Sequence, residues 1–359
     1  MKLALLLVGF GNVARRFVEL LDESRDAMRD LGIEPVVVGI VTRRHGAVFD
    51  EAGLDAIRAA KTRAKGGAFG PASVPSALEW ISRLRSQGVE ARVIVETTTL
   101  DIRSGEPATA HVRAGFAAGA HVITANKGPV AFAYRALRDE AASAGLAFRF
   151  EGAVMDGLPI FNLVQETLPA VSIRGFRGVL NSTTNFILSA LERGEPFGPA
   201  LDRMQQAGVA EADPSLDLDG WDAAAKASAL ANVMLDADLT PHLVARDGII
   251  VETAERARRA LASGRRLKLV ATGSGRGDRA SATVRLEELD ANDPLAILDG
   301  QANALEIDTW PLGRIVITQR DGGLEKTAYA LVSDLVAIAR DVRSGRLPSS
   351  RAALHRDTR

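Results

Sequence analysis

Residues 3–14 read LALLLVGFGNVA, and this stretch decides the fold. Leu3 to Val8 is an unbroken apolar run, too short for a helix and stopped by Gly9, as expected of a central parallel strand buried on both faces. Gly9-Phe10-Gly11-Asn12-Val13-Ala14 then follows the strand and opens a helical pattern. In that context glycines permit a tight turn and let backbone N–H groups meet a pyrophosphate at a helix N-terminus. Ala14 stands at the third glycine position, which the fingerprint tolerates. A plain structural turn is the competing explanation. The flanking strand and helix, and the units that follow, favour dinucleotide binding through Gly9, Gly11, Asn12 and Val13.

The strand signal returns at Val36 to Thr42, Ala91 to Glu96 and His121 to Thr124, with helical patterns near Ser76 to Gln87 and over Pro107 to Ala118. Alternation at this spacing predicts a Rossmann-type α/β domain, a doubly wound parallel sheet over residues 1–135. From Ala147 the pattern changes. Apolar β-rich pieces at Ala147 to Glu151, Ser172 to Leu180, Ala280 to Glu287 and Ile315 to Thr318 surround helices at Pro199 to Ala207 and Trp221 to Leu235. Residues 145–315 therefore read as a second, α+β domain. The strong helical segment Lys326 to Ser344, within 320–345, is expected to pack back onto the first domain, and the apolar-poor tail 346–359 is expected to be mobile.

Composition removes several function classes. Lys and Arg total 44 against 45 Asp and Glu, a net charge of -1 that gives no electrostatic footprint for nucleic acid or an anionic membrane. The absence of cysteine excludes disulfides, thiolate metal sites and cysteine nucleophiles, and the five histidines stand too far apart for a zinc pair on one helix. No apolar run approaches the roughly 20 residues that span a bilayer, and no cleavage site follows the N-terminal apolar run. A cytoplasmic protein with a small-molecule substrate is the expectation.

The second strand ends in Arg43 and Arg44, where an acidic residue normally holds the ribose of NAD. Two guanidinium forks suit a 2′-phosphate, so NADP is expected, with NAD the alternative. Thr97, Thr98 and Thr99 leave the third strand, and Thr124, Ala125, Asn126 and Lys127 leave the fourth, both at the edge where open α/β sheets place ligands. Gly128-Pro129 turns the chain after Lys127, which sets that lysine apart from a solvated helical face.

Residues 211–226 read EADPSLDLDGWDAAAK. Asp222 and Lys226 lie four apart, hence one turn apart on one helix face. An acidic helix N-terminus explains Asp222 comfortably. It explains Lys226 poorly, because Ala-Ser-Ala-Leu-Ala follows and such a segment reads as buried. A lysine there wants a carboxylate partner, and the pair could hold an ammonium ready to protonate a nascent alkoxide. Two further segments are either loops or ligand sites. Asn181-Ser182-Thr183-Thr184-Asn185 could bind a small polar substrate, and residues 151–159, EGAVMDGLP, could hold a hard cation.

Taken in order over nearly the whole chain, GFGNVA, TANKGPVA, EGAVMDGLP, VLNSTTNFIL, EADPSLDLDGWDAAAK and TAYALVSDL resemble homoserine dehydrogenase. The resemblance implies an NAD(P)-binding domain, a catalytic and dimerisation domain, a homodimer, and interconversion of aspartate semialdehyde and homoserine in threonine and methionine biosynthesis. By it, Lys226 and Lys127 take the catalytic lysine positions, with Asp222 as supporting acid. Glu211, Asp217 and Thr183 match substrate-holding positions, the neighbouring Ser182 is a further substrate-binding candidate, and Glu151 with the main chain of Val154, Asp156 and Leu158 would hold sodium. The family pattern has glycine at Ser182, small residues at Met155 and Asp156, and a glycine-rich run at Gln319 to Glu325. A relative acting on another small hydroxy or amino acid, or a non-catalytic NADP sensor, stands as the alternative. Feedback control through an appended regulatory domain is not expected.

Overall fold

The opening apolar run becomes strand β1 (Lys2–Val8), central in its sheet with a parallel neighbour on each edge, and Leu3 through Val8 are all buried, Leu3, Leu5 and Leu7 in one core with Phe17. The computed structural model describes residues 1–70, 76–84, 89–206 and 214–345, which form two units. In the first, β1 is followed by α1 (Asn12–Glu23), α2 (Arg25–Asp30), β2 (Glu34–Thr42), β3 (Gly46–Phe49), α3 (Ala56–Ala64), α4 (Ala77–Arg83), β4 (Ala91–Glu96), α5 (Ala108–Ala117), β5 (His121–Thr124), α6 (Lys127–Ser143) and β6 (Phe148–Arg149).

These strands make one sheet in the order β3-β2-β1-β4-β5-β6, parallel throughout except for the β2/β3 hairpin. The chain order reverses direction between β1 and β4. That reversal opens a crevice beyond the carboxyl ends of the two strands, the place where doubly wound sheets bind ligands. Helix α1 covers the sheet with Ala14, Phe17, Val18 and Leu21, the i, i+3, i+4, i+7 set of an amphipathic helix.

The second unit contains β7 (Ser172–Val179), α7 (Ser182–Glu192), α8 (Phe197–Gln206), α9 (Ser215–Leu218), α10 (Trp221–Met234), β8 (Ala245–Arg246), α11 (Thr253–Ala262), β9 (Arg265–Ser274), β10 (Ser281–Asp290), β11 (Asn303–Trp310) and β12 (Gly313–Gln319). Its sheet runs β12-β11-β7-β9-β10-β8 and is antiparallel apart from the β8/β10 pair. Helix α10 packs on β9 and β10 and is buried almost all round, which its alanines allow by keeping the helix thin. The last helix, α12 (Leu324–Ser344), belongs to the first unit and lies against α1, with Ala328, Leu331, Leu335 and Ile338 in the same core as Phe17.

The architecture is the expected one, with two differences of detail. Ala147 to Glu151, expected in the second domain, instead contributes β6 to the first sheet, parallel to β5. The first unit consequently runs to Thr167, beyond the expected limit near residue 135, because the loop after β6 packs against α12. Asn181 to Asn185 is no loop but the start of α7, with Asn181 as its cap. The tail 346–359 lies outside the described residues.

Candidate active site

At the carboxyl end of β1, Gly9 takes φ +89°, and a Cβ there would come within 2.8 Å of the Thr97 carbonyl carbon and oxygen. Only glycine fits this approach of two strand ends. Gly9 N–H donates to the Val41 carbonyl at 2.9 Å, which ties the turn to the end of β2 as well. Gly11 caps α1 without any side-chain hydrogen bond, and a Cβ on it would meet nothing within 4 Å. The first turn of α1 thus has no side-chain cap and open space beside Gly11, as a pyrophosphate site needs. These residues fit a dinucleotide.

Arg43 and Arg44 are exposed in the β2/β3 hairpin turn, which the Thr42 hydroxyl closes by donating to the Gly46 carbonyl at 2.9 Å and accepting from the His45 amide. Thr97 and Thr98 spend their hydroxyl protons within the protein. The Thr97 hydroxyl donates to the Gly9 carbonyl at 3.1 Å, and that of Thr98 to Glu96. Glu96 is fully buried at the end of β4 and also accepts from the Thr98 amide and the Thr124 hydroxyl, both at 3.0 Å. This acid, which in the sequence is only the last residue of a strand, organises the crevice wall. Asn126 caps α6 by accepting from the Gly128 amide at 2.8 Å and donates to the Thr98 carbonyl at 2.9 Å, which places Ala125 and Lys127 at the same sheet end.

The segment after β6 is built around Glu151, whose carboxylate is buried and accepts from the backbone amides of Ile160 (2.6 Å), Phe161 (2.9 Å) and Asn162 (2.6 Å). Burial, then the charge of the fully buried Asp334, pushes the Glu151 carboxyl up to about 7. Asp334 itself, raised to about 6 mainly by burial, accepts from the Glu151 amide and the Asn162 side chain. Arg149 is engaged by Glu166 and Asp341. Carboxylates thus outnumber guanidinium here. Three amides leave one of the roughly four lone-pair positions of Glu151 open, so the donor set fits a hard cation shared with main-chain carbonyls. Met155 and Asp156 take φ +56° and +54°, and the Asp156 carboxylate accepts from the Gly323 amide and the Thr327 hydroxyl at the start of α12. At Asp156 the departure from a small residue therefore ties this loop to the start of α12.

In the second unit, α10 begins at Gly220, whose φ of +74° and 2.5 Å approach of a would-be Cβ to the Asp247 carbonyl demand glycine. Arg246 lies over the Trp221 ring at 3.2 Å and donates to the Asp219 carbonyl, fixing the first turn. That turn delivers Asp222 to Lys226 at 2.9 Å, with side-chain exposures of only 16% and 14%. Exposed pairs of this kind are worth little, but here the surroundings are mostly protein. The Lys226 ammonium also donates to the Leu180 carbonyl at 2.7 Å, beyond the end of β7. Asn181, next in the chain, donates to Asp217 at 2.7 Å and to Asp222 at 2.8 Å. Burial and then the Asp222 charge hold the Asp217 carboxyl above the usual carboxylate range, against hydrogen bonds from Asn181 and Thr183 and the charge of Lys226. The Ser182 hydroxyl oxygen accepts from Asn303 at 2.9 Å.

Five predicted residues, Lys226, Asp222, Asp217, Thr183 and Ser182, are thereby gathered where β7, α7, α9 and α10 begin or end. Glu211 lies outside the described residues. Asn181 had no role assigned in the sequence beyond membership of a polar run. Its cap position, directly after an apolar strand, was the available signal.

Comparison with known proteins gives the family. Residues 9–151 match the family model described as homoserine dehydrogenase, NAD binding domain, and residues 159–336 match that of homoserine dehydrogenase. The NAD(+)-dependent homoserine dehydrogenase of Pseudomonas canavaninivorans is 35% identical over 93% of this chain and 95% of its own length. The Methanocaldococcus jannaschii homoserine dehydrogenase is 34% identical over 93% and 98%. Among solved structures, a putative homoserine dehydrogenase from Archaeoglobus fulgidus superposes with TM-score 0.81 at 28% identity, covering 94% of this chain and 99% of the other.

Proposed function

The chain belongs to the homoserine dehydrogenase family of nicotinamide-dependent oxidoreductases, and on that basis we propose that it interconverts L-aspartate 4-semialdehyde and L-homoserine with NADP, with Lys226 as proton donor and acceptor. The observation that carries the lysine assignment is its double anchoring, to Asp222 at 2.9 Å and the Leu180 carbonyl at 2.7 Å, on an otherwise buried helix.

A nicotinamide dinucleotide whose pyrophosphate is held at the Gly9 to Val13 turn would supply the hydride in reduction and accept it in oxidation. As a carbonyl carbon gains that hydride, its π electrons pass to oxygen, and the Lys226 ammonium neutralises the oxyanion and gives it a proton. Asp222, 2.9 Å away, holds the lysine in place for that transfer. In oxidation the neutral amine takes the hydroxyl proton back. Lys127, at the first position of α6, takes the second lysine role.

Asp217, with Thr183 and Glu211, holds the substrate ammonium. A half-buried carboxyl held above its usual range gains strongly from an arriving cation, because the cation offsets both the partial burial and the nearby Asp222 charge. Ser182 accepts from Asn303 through its oxygen and offers its own proton to a substrate oxygen. At the other unit, Arg43 and Arg44 receive the 2′-phosphate. NAD is the competing cofactor and is the one named for the Pseudomonas relative. Glu151, with the carbonyls of Val154, Asp156 and Leu158, holds a sodium ion that neutralises the surplus carboxylate beside Asp334.

Three outcomes are expected. Lys226→Ala lowers kcat about 10²- to 10⁴-fold while NADPH affinity stays within about threefold, checked by steady-state kinetics and fluorescence titration; near-normal turnover sinks the assignment. Replacing Arg43 and Arg44 together by Ala lowers kcat/KM for NADPH at least about tenfold more than for NADH, and equal losses would favour NAD. Sodium chloride raises Tm by about 2–4 °C over choline chloride of equal ionic strength at pH above the Glu151 value of about 7, and by less below it, where the carboxyl is protonated and binds sodium poorly; equal effects of the two salts contradict the ion site.

A further inference from the structure

We propose that Asn181 is the positioning residue of the second unit's site, its two amide protons dividing Asp217 and Asp222 into separate duties, one toward substrate and one toward Lys226. The inference rests on the functional reading above and extends it to a residue that touches neither hydride nor proton.

The orientation of the amide is dictated by its neighbours. Asn181 is 5% exposed and caps α7, its Oδ1 accepting from the Thr184 amide at 2.8 Å. Flipping the side chain would set its NH2 against that N–H, donor to donor, and turn its oxygen toward two carboxylates. Nδ2 must therefore face the acids. It carries two protons and spends one on each, at 2.7 Å to Asp217 Oδ1 and 2.8 Å to Asp222 Oδ2.

The same Asp222 oxygen is the one that meets the Lys226 ammonium, and the Leu180 carbonyl beside Asn181 takes another ammonium proton. One dipeptide, Leu180-Asn181, thus holds the lysine by its backbone and both acids by its side chain. Because it is the hinge between β7 and α7, the cluster is fixed to the sheet rather than to a loop.

Two carboxylates around one ammonium repel each other, and the charges that act most on Asp217 are Asp222 and Lys226, both from α10, with Asn181 and Thr183 as neutral donors from the start of α7. A bridging donor that serves both acids lets both stay ionised. Asp222 then remains the partner of Lys226, and Asp217 remains an anion for the substrate's ammonium.

Asn181→Asp isolates this role, since aspartate caps a helix as well as asparagine but can donate nothing to the acids and adds a third charge. The acidic limb of its kcat/KM profile, which reports the ionisation of the carboxylates, is expected to move up by about one pH unit or more. Asn181→Ser, a capping residue with one proton and no added charge, is expected to move it by less in the same sense.

Thermal melting gives a readout independent of turnover. A carboxyl raised in the folded state contributes stability below its ordinary range and loses it as pH climbs through the raised value; a third carboxylate enlarges that loss. The Tm deficit of Asn181→Asp against wild type should therefore be larger at pH 7 than at pH 5. An unmoved acidic limb together with a deficit equal at both pH values overturns the proposal and leaves Asn181 a helix cap. If wild type reduces no amino-acid semialdehyde, the functional reading fails instead, and the melting comparison alone decides the role of Asn181.

Discussion

An ammonium carried on a buried helix has to be neutralised where it stands, and most of the second unit follows from that constraint. Helix α10 is packed with alanines, so Lys226 has little room to reach solvent, and the cost of leaving its charge unpaired would run to several kcal/mol. Asp222 meets it one turn earlier, and Leu180 meets it from the strand. Each partner then imposes its own requirement. Asp222 needs the sharp left-handed entry at Gly220 to start the helix where it does, and the carbonyl of Leu180 has to point past the end of β7.

The first unit obeys a different constraint, that of backbone donors left open. Two strand ends approach so closely that only glycine fits at position 9, and the next helix starts at a glycine with no side chain to satisfy its first amides. Side chains nearby that might have filled the crevice are tied down instead. Thr97, Thr98, Thr124 and Asn126 all spend hydrogen bonds on backbone or on Glu96. The wall is rigid and polar, and the turn facing it is bare, which is how an open sheet accepts a phosphate chain.

Much of this was legible in the residues themselves, and the reason differs from case to case. The Gly9 turn could be read because glycine's freedom is a local property. The Asp222 and Lys226 pair could be read because helical spacing alone makes them neighbours. The capping place of Asn181 had a local signal, but its hold on the acids and the role of Glu96 could not be read, since these come from partners 28 to 41 positions away that only the folded chain brings near. Strand β9 hid behind Lys268, a fully buried cation whose ammonium is satisfied by Asn185 and the Leu298 carbonyl and whose pKa is pushed down to about 8 by burial. The α7 start hid because five polar residues look like a loop until the capping bond is seen. Asp156, a departure from the family pattern, proved to serve the α12 N-terminus.

Label transfer tests the central claim most directly. With NADPH deuterated on the transferring face of the nicotinamide ring and L-aspartate 4-semialdehyde as acceptor, mass spectrometry should find homoserine carrying a single deuterium at the new carbinol carbon, and Lys226→Ala should form it far more slowly. Bound NADPH with no labelled homoserine formed by the wild-type protein would contradict the account.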